Sequence, residues 1–114
     1  MEGTTKSLKI YHAPDGQAPF QEWMESLRDE KGKGIINARL GRVRLGSLGD
    51  FKSVGQGVLE LRVNFGPGYR IYLGRDGQTV VILLCGGDKK SQRKDIQNAL
   101  AFWADYRRCR GETK

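Results

Sequence analysis

Leu59-Glu60-Leu61-Arg62-Val63-Asn64-Phe65-Gly66-Pro67-Gly68-Tyr69-Arg70-Ile71-Tyr72-Leu73 is the stretch that decides the fold. Leu59, Leu61, Val63 and Phe65 alternate with Glu60, Arg62 and Asn64; beyond the break, Tyr69, Ile71 and Leu73 alternate with Arg70 and Tyr72. A period of two is the mark of a strand with one buried face. Gly66-Pro67-Gly68 between the runs is turn chemistry, so the pair reads as a hairpin. Closed on those three residues, it pairs Phe65 with Tyr69, Val63 with Ile71, and Leu61 with Leu73. One face is then wholly apolar. On the polar face Asn64 stands opposite Arg70 and Arg62 opposite Tyr72, with Cβ atoms about 5 Å apart.

Upstream, residues 7–12 alternate as a first strand, which Pro14-Asp15-Gly16 ends. Phe20, Trp23, Met24 and Leu27 then form one stripe of a helix over about 18–30. Lys31-Gly32-Lys33-Gly34 reads as a hinge, and Ile36, Leu40 and Val43 carry a second helix to about 45, antiparallel to the first. Arg39, Arg42 and Arg44 are expected on its solvated face. Residues 46–57 are rich in glycine and read as a loop. Downstream, Arg75-Asp76-Gly77-Gln78 makes a second turn, and residues 79–85 are apolar on both sides, as in a central strand covered on both faces. After Gly86-Gly87-Asp88, a helix runs from about Lys89 to about Arg108 on the stripe Ile96, Ala99, Leu100 and Trp103. Trp23 and Trp103 are expected in the core. The order β-α-α-β-β-β-α describes an α+β fold: a small twisted antiparallel sheet with helices on its apolar face and a basic, open face opposite.

The chain has 114 residues, the length of one domain, and about 65% of its unfolded surface can be buried at that size. This leaves no room for a deep chamber, so chemistry is expected on an open face. With 29% charged residues, mean hydropathy −0.57 and no apolar run near membrane-spanning length, no membrane partner is expected. No apolar leader follows Met1, so a cytoplasmic protein is expected. About six residues at each end are expected to be flexible. Two cysteines and His12 are too few for a zinc site or disulfide framework, so neither metal nor cofactor is expected, and Cys85 reads as a core thiol. The formal charge is +7, and residues 58–114 hold eleven basic against six acidic side chains. That asymmetry points to a polyanion or an acidic protein partner.

Arg62 and Arg70 offer bidentate phosphate recognition, and Lys89 and Lys90, set at a helix N-terminus, would make a phosphate-binding corner with its free N–H groups. Two cations at the positive end of a helix dipole serve stability poorly, which favours a functional reading. A solvated or cross-strand pair is the plainer reading of Glu60 and Arg62. Clustered cations disfavour one another's charge, which suits a lysine here as a base; Glu60 is the alternative base.

Residues 60–72, together with Leu83-Leu84-Cys85-Gly86-Gly87-Asp88-Lys89-Lys90-Ser91-Gln92-Arg93-Lys94-Asp95-Ile96, resemble the HigB-like "addiction module killer protein" branch of the RelE/ParE toxin superfamily. Phe20-Gln21-Glu22-Trp23 and residues 44–50 also fit, so the resemblance spans roughly 8–104. It implies a RelE-like fold, with the sheet antiparallel or mixed at one edge, and the toxin half of a type II toxin–antitoxin module. It further implies a metal-independent endoribonuclease that cuts mRNA, commonly on the ribosome, and a small helix-turn-helix antitoxin as partner. Arg70 matches the hairpin arginine after Gly-Tyr, either Lys89 or Lys90 matches the basic residue after the central strand, and Arg62 matches the basic residue on the preceding strand. Glu60 stands where a lysine is common, and Asp95-Ile96 occupies the region of a base-stacking tyrosine. Glu60, Arg62, Arg70, Lys89 and Lys90 are therefore the expected catalytic set, with Asn64, Tyr72, Gln92, Arg93 and Lys94 as RNA contacts. Two other activities fit the superfamily: ParE-like inhibition of DNA gyrase, and nucleic-acid binding without catalysis.

Overall fold

The computed structural model describes residues 5–112. In chain order the elements are β1 (Ser7–Ile10), α1 (Pro19–Ser26), α2 (Glu30–Arg44), β2 (Phe51–Gly55), β3 (Val58–Val63), β4 (Tyr69–Asp76), β5 (Val80–Gly87) and α3 (Gln92–Glu112). The strands form one sheet in the order β1-β5-β4-β3-β2, with β1 parallel to β5 and every other neighbour antiparallel. The α+β class is as the sequence predicts, and of the two sheet forms left open, antiparallel throughout or mixed at one edge, the structure has the mixed one. The ends expected to be flexible lie mostly outside the described residues; Lys6, at that margin, donates its backbone N–H to Arg44 O at 2.7 Å.

Four expectations need correction. First, the glycine-rich run holds an additional strand, β2. Gly55, Gln56 and Gly57 take φ of 112°, 54° and 92°, and this tight left-handed turn folds residues 51–55 back onto β3. The order is thus β-α-α-β-β-β-β-α. Second, the β3–β4 hairpin closes on the five residues 64–68, so Val63 faces Tyr69, Leu61 faces Ile71, and Leu59 faces Leu73. The shift of two residues preserves the faces but changes the partners: Arg62 faces Arg70, and Glu60 faces Tyr72. Third, α2 begins at Glu30, so Lys31-Gly32-Lys33-Gly34 is its first turn and the break between helices falls at 27–29. Asp29 caps the helix by accepting the Gly32 N–H at 2.9 Å, and its other oxygen accepts the Tyr69 hydroxyl at 2.7 Å. Together these contacts offset the poor helix propensity of two glycines.

Fourth, both sheet faces are covered. Helices α1 and α2 pack Phe20, Ile36, Leu40 and Val43 against Leu59, Leu61, Val63, Tyr69, Ile71 and Leu73. On the opposite face α3 packs Ala99 and Trp103 against Val58, Tyr72, Ile82, Leu84 and Cys85. The polar face expected to be open is therefore closed by α3 over most of its length, because a 21-residue helix spans about 30 Å. Two strand glycines let the helices approach: a Cβ on Gly74 would lie 2.4 Å from the Trp103 ring, and one on Gly86 2.2 Å from Trp23. The edge strand β2 is exposed, and the basic residues of the hairpin collect at the end of the sheet beside the N-terminus of α3.

Candidate nucleic-acid interface

At that end the strand alternation turns Glu60 and Arg62 of β3, Arg70 and Tyr72 of β4, and Gly87 of β5 toward α3. Two arginines directly opposite one another repel. Glu60, one row back, supplies the countercharge. It is fully buried. Its Oε2 accepts from the Tyr72 hydroxyl and from Gln92 Nε2, both at 2.9 Å, and its Oε1 accepts from Arg62 Nε at 3.3 Å. Burial by itself would favour the protonated acid. Donation from Gln92, Tyr72 and Arg62, with the charge of Arg70 nearby, outweighs burial and holds the carboxyl below its ordinary range. Burial and the neighbouring carboxylate push the Tyr72 hydroxyl the other way, far up, so it stays a neutral donor.

Arg70 is 8% exposed. Its Nη1 donates to Gly68 O at 2.9 Å and to Tyr69 O at 3.4 Å, while its buried Nε has no hydrogen-bond partner among the described residues. A Cβ on Gly68 would lie 3.2 Å from that Nη1 and 3.5 Å from Lys89 Cβ, so hairpin loop, arginine and lysine meet. The Lys89 N–H also donates to Pro67 O at 3.4 Å.

Lys89 and Lys90 precede α3, which begins at Gln92 and not at Lys89. The N–H groups of Lys90 and Ser91 donate to Asp88 Oδ1 at 2.9 and 3.2 Å. The phosphate corner expected there is therefore filled by Asp88, and the exposed ammonium groups remain. Asp95 lies over Gly87, where a Cβ would meet its Oδ2 at 1.8 Å, and its side chain bonds Ser91 Oγ. Burial and the nearby Asp88 raise the Asp95 carboxyl above its usual range, against the Ser91 bond.

The structure thus gathers Glu60, Arg62, Arg70, Lys89 and Gln92. Tyr72 is fully buried and reaches the site only through Glu60, so it is no surface for RNA. Asn64 is exposed in the hairpin loop and does not face Arg70; Lys90, Arg93 and Lys94 are exposed around the N-terminus of α3. Arg39, expected in solvent, is 7% exposed and donates to the carbonyls of Leu48, Asp50 and Arg62, which ties the approach to β2 onto the end of β3. Lys52 carries no signal of its own within the glycine-rich run. It is the register partner of Glu60, and Phe51-Lys52-Ser53-Val54 is too short an alternation to mark a strand. Hollows of about 230 and 400 Å³ lie elsewhere, against β1. Among the described residues no group of three or more His, Cys, Asp or Glu is placed to hold a metal ion, and no helix is long and apolar enough to cross a membrane.

Residues 20–101, which include the whole site, match the family described as "Phage derived protein Gp49-like (DUF891)". A protein from Haemophilus influenzae, described as "Uncharacterized protein", is 49% identical over 80 residues, which cover 70% of this chain and 81% of that one.

Proposed function

Because this chain belongs to the phage-derived Gp49-like family, a toxin-like addiction-module family related to RelE/ParE, we propose that it is the toxin of a type II toxin–antitoxin pair and cuts mRNA on the ribosome. The observation that carries this reading is the cation cluster itself. Arg62 and Arg70 stand opposite one another with Lys89 alongside, over one buried carboxylate. Such a set is suited to the charge on a scissile phosphate.

In the proposed reaction a base takes the proton of an RNA 2′-hydroxyl and the freed oxygen bonds to the adjacent phosphorus. The bond from phosphorus to the 5′-oxygen breaks, and that oxygen receives a proton from an acid. The fragments end in a 2′,3′-cyclic phosphate and a 5′-hydroxyl. Arg70, held by strand β4 and two backbone carbonyls, meets the non-bridging oxygens where charge develops, and Arg62 flanks it. Lys89 or Lys90 provides the mobile proton. Glu60 is a weak base in this setting, since its oxygens already accept three hydrogen bonds; it positions the arginines. A small helix-turn-helix antitoxin is the proposed partner.

Induced expression with transcript-end mapping tests the reading, with wild type beside Arg70→Ala. New ends within translated frames, reduced about 10²- to 10³-fold by the substitution, are the expected result. Growth arrest with intact mRNA would replace it with a non-nuclease target such as DNA gyrase. The absence of arrest from both proteins would leave a non-catalytic binder.

A further inference from the structure

The cation cluster does not stop at β3. Strand β2 pairs with it antiparallel, and Lys52 stands directly opposite Glu60. Opposed residues of an antiparallel pair point to the same face. Glu60 bonds Gln92 of α3, so Lys52 lies on the α3 face, in one row with Glu60, Tyr72 and Cys85. Arg62 is the diagonal neighbour of Lys52, with Cβ atoms about 7–8 Å apart, and Arg70 is directly opposite Arg62 at about 5 Å. Lys52, Arg62 and Arg70 therefore step across three adjacent strands, and Lys89 continues the line at the far side of Arg70.

Lys52 has no evident work within the fold. It is exposed, and among the described residues it makes no side-chain hydrogen bond or ion pair. The buried carboxylate opposite it is already taken by Arg62, Tyr72 and Gln92. Another cation on this face adds repulsion and no internal compensation.

We infer that Lys52 is a substrate-positioning residue, holding the phosphate next but one to the scissile group of an RNA strand that crosses the sheet from the α3 N-terminus to the β2 edge. The inference rests on the ribonuclease reading above and adds the path of the RNA. A lysine on an edge strand has one other common use, to deter edge-to-edge pairing between copies, and the test separates the two.

The experiment is fluorescence anisotropy of a labelled single-stranded RNA, 2′-O-methylated so that it cannot be cut, against wild type, Lys52→Ala, Lys52→Arg and Arg70→Ala over a range of potassium chloride. Cleavage of the unmodified RNA is followed alongside. Lys52→Ala should bind about three- to fivefold more weakly at low salt. Its log–log salt slope should be shallower by about 0.7, the contribution of one phosphate contact to a single strand. Lys52→Arg should restore both, and in cleavage the loss should fall on KM and not on kcat. Unchanged affinity and slope in Lys52→Ala would overturn the inference alone. So would self-association of that variant in sedimentation with RNA binding intact, the behaviour of a lost edge guard. A kcat loss as large as that of Arg70→Ala would overturn the positioning role. Wild type that binds RNA no better than Arg70→Ala would overturn the ribonuclease reading with it.

Discussion

Removing the Glu60 carboxylate should destabilise the protein by an amount that depends on what replaces it. In Glu60→Gln the amide oxygen can take the Oε2 position and keep the Tyr72 and Gln92 bonds, each 2.9 Å in the native protein. Each then falls from a charge-assisted to a neutral bond, a loss of about 1 kcal/mol apiece. The amide nitrogen turns a donor toward Arg62, but that side chain is 34% exposed and its 3.3 Å ion pair counts for little. The total is about 2 kcal/mol. Glu60→Ala also strands the Tyr72 hydroxyl and leaves the arginines without a countercharge, for about 3–5 kcal/mol. Urea unfolding at pH 7 measures both. The folded carboxyl sits below its unfolded value, so its contribution is whole above the ordinary glutamate range and is lost as pH falls through the lower, folded value. The gap between wild type and Glu60→Gln should therefore be constant from neutral pH down to about 5 and close below the ordinary value of about 4.3. In RNA cleavage Glu60→Gln should stay within about tenfold of wild type, where the loss of a general base costs about 10²–10⁴. Unchanged stability with a rate loss above a hundredfold would refute the positioning role and make Glu60 the base.

Two further substitutions probe the packing that holds the site in place. Gly74→Ala and Gly86→Ala should each cost about 2–3 kcal/mol in denaturant unfolding, because the added Cβ would fall 2.4 Å from Trp103 and 2.2 Å from Trp23; a loss below 0.5 kcal/mol in either would show that the ring moves aside freely. Arg39→Ala should cost about 3 kcal/mol and Arg39→Lys nearly as much, since three carbonyls on two segments lose a planar fork that an ammonium cannot replace. A fully rescued Arg39→Lys would show that charge alone matters there.

The arrangement of strands was legible because alternation is a local property. Parity in the Leu59–Leu73 run sends Glu60, Arg62, Arg70 and Tyr72 to one face whether the loop has three residues or five, and the structure keeps that face. Partnership is not local. A three-residue and a five-residue closure satisfy the same alternation, and only the left-handed Gly66 and Gly68, with Tyr69 reaching Asp29, select the longer one. Strand β2 was hidden because glycine usually breaks strands, whereas here Gly55 and Gly57 build the turn that makes one. The helix start was hidden for the same reason: Gly32 sits where a Cβ would lie 2.6 Å from the Asp29 carboxylate, so the glycine is required by the cap. Burial of Arg39, Glu60 and Tyr72 depends on contacts 9 to 32 residues away in sequence, to which a residue's own pattern is blind.

The placement of Glu60 bears on why the site is built across two strands. A carboxylate directly opposite Arg70 would form a cross-strand pair and neutralise it, stabilising the hairpin and closing the site. This chain puts Arg62 there instead, with the carboxylate one row back, fully buried and fixed by a tyrosine and a glutamine. Arg62 is thereby paired with Glu60 while Arg70 bonds only backbone carbonyls, and the repulsion between the two is offset by the carboxylate that Tyr72 and Gln92 fix. Rigid strands hold both guanidinium groups, so little ordering is left for the moment of binding. Under the proposed function, the phosphates of RNA, or an acidic segment of the proposed antitoxin, would bring further negative charge to the cations of this end. On that proposal the two would compete for one seat, and the proposed antitoxin would silence the chain by occupying it.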